Sequence, residues 1–164
     1  MSATLKSPLG LLISRKCRRS EVAGIKNCTI KFSGEYVYGW EGHPDLAELD
    51  HADPRVADLV TEVMCHWLGR GAAGWRLDVA YAVPPEFWRE VLARVRAEYP
   101  EAIFIGEVIH GDYAEIARAG TLDTVTQYEL WKAIWSSLND VNLHELAWAL
   151  TRHADFGEVF VPQV

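Results

Sequence analysis

Apolar residues recur at helical spacing after the Asp53-Pro54 pair, which offers an N-cap followed by a proline at the first helical position. Val56, Leu59, Val60, Val63, Met64, Trp67 and Leu68 fall on one face of a helix that Gly69 and Gly71 end. A short run over 74–80, bounded by Gly74 and by Pro84-Pro85, predicts a strand. Phe87, Trp88, Val91, Leu92 and Val95 form a second helical face, which closes near Tyr99-Pro100. The continuous apolar run 102–108, broken by Glu107, predicts a second strand. Next come a short helix over 113–119 stopped by Gly120, a third strand over 124–128, and helices over 130–138 and 142–152. Asn142 and Glu145 stand in capping-box spacing at the start of the last one.

Helices alternating with apolar strands are the pattern of βαβ units around a parallel sheet, so an α/β class is expected. Residues 1–35 stand apart. They show no sustained period beyond a short strand predicted at 28–32, and seven Lys/Arg against Glu21 and Glu35 give them a net charge of +5. The whole chain carries −7, so the remainder carries −12. A basic arm on an acidic body raises nucleic-acid or membrane-surface binding as a reading. This arm lacks interleaved aromatics and any known motif, so it is taken as an atypical head of different origin, with no nucleic-acid or membrane partner expected. Cys17, Cys28 and Cys65 are odd in number and lack CxxC spacing, which argues against a disulfide framework and a zinc site. The apolar stretch 9–13 is too short to span a bilayer and precedes most of the basic residues, the reverse of a signal peptide. A cytoplasmic location is the expectation. Seven Trp suit a sugar-binding cleft, where indole faces stack on pyranose rings, and suit a large core equally well.

The chemistry lies in the charges placed inside the apolar runs. Arg76 and Asp78 are two apart on the first strand and so share one of its faces. Glu107 closes the second strand. Burying such groups without partners is costly, and in parallel α/β folds reacting groups gather at the C-terminal ends of strands. Neighbouring strands lie about 4.8 Å apart, close to the roughly 5–5.5 Å between the carboxyl groups of a retaining glycosidase. Arg76 would favour the ionised form of Asp78, as a nucleophile needs, while desolvation among Ile105, Val108 and Ile109 would favour a protonated Glu107, as a general acid needs. Taken alone, an Arg-x-Asp in a strand is more often a structural salt bridge. Asp78 and Glu107 together, one predicted helix apart, favour catalysis but leave other barrel or doubly wound enzymes open.

Two segments carry a resemblance. Gly74-Trp75-Arg76-Leu77-Asp78-Val79-Ala80 resembles the nucleophile strand of the α-amylase family of retaining glycoside hydrolases (glycoside hydrolase family 13), and Gly106-Glu107-Val108 resembles its acid/base strand. The segment from Pro44-Asp45-Leu46 to Trp67-Leu68 resembles the approach to the nucleophile strand, so the likeness runs from about Tyr36 to the C-terminus. It implies an incomplete (β/α)8 barrel over 36–164, with about three to four parallel strands, since a complete barrel takes about 250 residues. It also implies retaining cleavage or transfer at α-glucosidic bonds of an oligosaccharide or α-glucan, with Asp78 as nucleophile, Glu107 as acid/base and Arg76 orienting the nucleophile. His110 borders the sugar site, either as a substrate contact or as a structural histidine.

The departures shape the expectation further. The family's first signature, Asp-x-x-x-Asn-His, has no counterpart in 1–35, and the His-Asp pair that supplies a third carboxylate would follow Phe160-Val161-Pro162. Tyr81 and Ala82 stand where many members carry Lys-His, which removes a frequent calcium ligand, so no metal or other cofactor is expected. Open sheet edges would invite self-association, and misplacement by about 1 Å costs on the order of 100-fold in rate. Little or no hydrolysis by residues 1–164 alone is expected. The rival reading is a truncated, non-catalytic remnant that binds sugar or a partner chain.

Overall fold

The computed structural model describes residues 3–5, 30–33, 36, 37, 39–42, 46–141 and 143–157. The elements that position the site begin with helix α1, Pro54–Leu68. Its N-cap is Asp53, whose side chain accepts from the Arg55 N–H, and Pro54 opens it. Val56, Val60, Met64 and Leu68 are buried, while Trp67 at the edge of the same face is 49% exposed.

Strand β4, Gly74–Leu77, then leads through a 3-10 turn at Ala80–Ala82 to helix α2, Pro85–Glu98. Strand β5, Ile103–Gly106, is followed by helix α3, Tyr113–Gly120, capped by the Asp112 side chain on the Glu115 N–H. Strand β6, Thr124–Val125, precedes helices α4, Tyr128–Asn139, and α5, Leu143–Gly157. Near the start of the chain are the three-residue strand β1, Ala3–Leu5, and a pair β2, Phe32–Ser33, and β3, Tyr36–Val37, antiparallel to each other.

Strands β1, β4, β5 and β6 make one all-parallel sheet in that order. Among the described residues this is an α/β arrangement whose sheet does not close. Leu77, Phe104 and Val125 lie fully buried within it, and Val56, Met64, Val91, Leu92 and Val95 pack against it from α1 and α2. Two buried indoles find backbone acceptors: Trp75 donates to the Met64 carbonyl and Trp88 to that of Ala80. Gly74 is required by sterics, because a Cβ there would lie 2.0 Å from the Ile103 oxygen.

The strands are shorter than their apolar runs. The runs 74–80, 102–108 and 124–128 shrink to Gly74–Leu77, Ile103–Gly106 and Thr124–Val125, because the chain leaves the ladder at each C-terminal end to form the site. Helix α4 accordingly starts at Tyr128, inside what the pattern assigned to a strand. Of the segment 28–32, residues 28 and 29 lie outside the described residues, while Ile30 bridges Leu49 and Phe32 belongs to β2. The Asn142 cap also lies outside them, whereas Glu145 bonds Lys132 and Ser136 on α4, tying the last two helices together. Trp131, Trp135 and Leu138 on α4 and Trp148 on α5 are more than half exposed. Among the described residues no helix is long and apolar enough to cross a membrane.

Candidate active site

The register of β4 against β5 pairs Arg76 with Ile105 and Leu77 with Gly106. Asp78 and Glu107 therefore each leave their strand one residue later, at the same end of the sheet. A Cβ at Gly106 would come within 2.5 Å of the Leu122 Cδ1 and 3.3 Å of the Ala80 Cβ, so a larger residue before Glu107 would have to push the Leu122 side chain aside. The ladder runs one step past the strands: the Glu107 N–H donates to the Leu77 carbonyl and the Ala80 N–H to the Glu107 carbonyl.

Arg76 joins the two acids. One terminal nitrogen lies 2.6 Å from Asp78 Oδ1 and the other 2.6 Å from Glu107 Oε1. The side chains are 27% (Arg76), 37% (Asp78) and 14% (Glu107) exposed, so the cluster is shielded but open to solvent on the Asp78 side. The paired carboxylates hold the Arg76 guanidinium above its usual range in spite of the opposing pull of burial.

Glu107 is held more elaborately than the sequence suggests. Oε2 accepts from the Val79 N–H at 3.1 Å, and Oε1 accepts from the Tyr128 hydroxyl at 2.9 Å. Of the expected apolar neighbours only Val108 is fully buried, while Ile109 is 44% exposed. The carboxyl group thus faces a guanidinium, an amide and a phenol instead of an apolar pocket. The physical reason is the turn that follows each strand, which swings the acid away from the strand's apolar faces and toward Arg76.

Val79 makes this possible at a conformational cost. It sits at φ 51°, ψ 41°, in the left-handed region that a β-branched residue seldom adopts. That conformation, with its N–H on Glu107, follows directly on Asp78. Thr126 fastens the other side, accepting from the Val108 N–H at 2.9 Å and donating to the Val108 carbonyl at 3.0 Å.

His110 is exposed and packs on Tyr81, ring centroids 4.5 Å apart. The Tyr81 phenol is pushed up by burial and by Glu41 and Glu107. Tyr81 thus fills space beside the acid pair where a Lys-His pair is common in the resembled family. Among the described residues no three His, Cys, Asp or Glu side chains converge to hold a metal ion.

Asp78, Glu107 and Arg76 are brought together in one cluster, while the contact of His110 is with the Tyr81 ring. The sequence reading missed Tyr128 and the Val79 amide. A signal for the first was present: a phenol just past the third strand, at the sheet end where the two acids lie.

No protein-family profile matches the chain. It is 34% identical over 85 residues to neopullulanase 2 of Thermoactinomyces vulgaris, covering 52% of this chain and 14% of that protein. It is 37% identical over 90 residues to a cyclomaltodextrinase of Thermoanaerobacter pseudethanolicus, covering 54% of this chain and 16% of that protein. The crystal structure of an Anoxybacillus α-amylase superposes with a TM-score of 0.58 at 27% identity, over 68% of this chain and 26% of that one. Its homologues are glycosidases of the α-amylase family. The resemblance read from the two motifs is thus supported across the body of the chain, and the four-stranded parallel sheet is an open piece of the barrel that these α-amylase-family neighbours carry. The chain spans about a seventh of the length of the sequence relatives described.

Proposed function

We propose that this chain carries the nucleophile and acid/base of a retaining site for α-glucosidic bonds. Asp78 attacks the anomeric carbon while the bond to the leaving oxygen breaks, and Glu107 gives that oxygen its proton. Glu107 then takes a proton from water, the water oxygen bonds to the anomeric carbon, and the ester to Asp78 breaks. Arg76 orients Asp78, and His110 borders the sugar. The observation that carries this reading is one guanidinium contacting both carboxylates at the ends of adjacent parallel strands. Two acids sharing one guanidinium support a reading in which both serve a single reacting carbon. The names of the homologues support an α-glucan or malto-oligosaccharide as substrate.

The test is covalent trapping, because it needs only the first half-reaction. A slow-turnover 5-fluoro-α-glucosyl fluoride, whose fluoride leaves without a proton, should label the wild-type chain and the Glu107→Gln variant by one glycosyl unit on the peptide bearing Asp78. Asp78→Asn should stay unlabelled. Labelling of Asp78→Asn, or none in either of the others, sinks the assignment. Binding of malto-oligosaccharide without any labelling would favour a non-catalytic sugar-binding role.

A further inference from the structure

We infer that Tyr128 is a positioning residue that fixes the rotamer of Glu107 for proton transfer, an inference that rests on the glycosidic reading above. Its hydroxyl donates to Glu107 Oε1 at 2.9 Å, the same oxygen that Arg76 contacts at 2.6 Å. Oε1 is therefore held by two donors, whereas Oε2 has, among the described residues, the Val79 N–H at 3.1 Å. A carboxyl group anchored in this way through one oxygen presents the other. Oε2 is the oxygen that carries the transferring proton.

The placement of Tyr128 is built into the fold. The Thr126 N–H donates to the Gly106 carbonyl, and the Thr126 hydroxyl grips both backbone groups of Val108. The segment that ends β6 is thereby locked to the residues on either side of Glu107. Two residues later Tyr128 begins α4, whose first turn aims the phenol back at the acid. Gln127 between them is fully buried, with its Oε1 bonded to the His153 Nδ1, so the backbone leading to Tyr128 has little freedom. Without the phenol, the side-chain donor left on Glu107 among the described residues is Arg76, which Asp78 shares. The carboxyl group could then turn onto the guanidinium and away from a leaving oxygen.

Two measurements on the full chain test this. The first compares Tyr128→Phe with wild type on α-maltosyl fluoride, whose leaving group needs no proton, and on maltotriose, whose leaving sugar does. The maltotriose rate should fall at least tenfold more than the fluoride rate, in kcat rather than KM, since a hydrogen bond to a charged partner is worth roughly 1.5–3 kcal/mol, or about 10–150-fold. Equal losses on both donors would mean that Tyr128 only supports the structure, and would overturn the inference while leaving the glycosidic reading intact. The second follows ionisation of the Tyr128 phenol by ultraviolet difference spectroscopy against Tyr128→Phe. Its midpoint should drop in Glu107→Gln, and an unchanged midpoint would overturn the contact itself. Both rates are read as ratios of Tyr128→Phe to the unmodified chain, so a low absolute rate leaves the comparison intact. No reaction of the unmodified chain with the fluoride, together with no trapping on Asp78, would overturn the glycosidic reading and the positioning role together.

Discussion

Replacing Gly74 with alanine should cost far more than its one carbon suggests. The new Cβ would stand 2.0 Å from the Ile103 oxygen, where ordinary contact begins at 3.4 Å, so β4 and β5 must part by 1.4 Å. The obstacle is backbone, and no rotamer change can relieve it. Parting the strands takes the hydrogen bond from the Ile103 N–H to the Ala73 carbonyl, now 3.2 Å, beyond bonding range. One or two ladder bonds at about 1 kcal/mol each, with overpacking strain of about 1–3 kcal/mol, give a loss of roughly 2–5 kcal/mol. Urea unfolding followed by tryptophan fluorescence should read this as a midpoint lowered by about 1–2.5 M for a slope of about 2 kcal/mol/M. Gly157→Ala is the control, because nothing among the described residues lies within 4 Å of a Cβ there, and its midpoint should stay near the wild-type value. A midpoint for Gly74→Ala within about 0.3 M of wild type would refute the close approach. Catalysis should suffer as well. The same strand carries Arg76, and a misplacement near 1 Å costs on the order of 100-fold.

Other substitutions separate the parts of the site. Arg76→Lys replaces a fork that touches two acids with a single ammonium, so trapping on Asp78 should slow about 10–100-fold. Its melting temperature should hardly move, because partly exposed ion pairs contribute little; unchanged trapping would argue against a bridging role. Val79→Gly should relieve a left-handed β-branched residue while keeping its N–H on Glu107, raising stability by up to about 1 kcal/mol in thermal melts; a clear loss would mean that the isopropyl group packs usefully. His51, edge-on to Trp40 and Phe87, has its pKa lowered below 6.5 mainly by burial. Its folded-state value lies under the unfolded one, so its contribution is full above 6.5 and is lost as pH falls through the folded value. Urea midpoints taken at neutral pH and again at about pH 5.5, below the ordinary histidine value, should therefore fall further for wild type than for His51→Gln. Equal slopes would show that His51 is not the group responsible.

Local spacing alone determined much of this protein. Helical periodicity located α1, α2 and α3 to within a residue or two, because an amphipathic face is written in every few residues of the chain. The two acids at strand ends were legible for the same reason: a charge that interrupts an apolar run has to be accounted for. Tertiary structure decided what neither period nor spacing encodes. Strand β1 is three residues long and is defined by its partner β4, so it carries no pattern of its own. Tyr128 lies 21 residues from Glu107 and reaches it only because β6 pairs with β5 and then turns into α4. The surroundings of Glu107 were misjudged from its apolar sequence neighbours, since a strand's end is governed by the turn that follows and by whatever the adjacent strands bring alongside it.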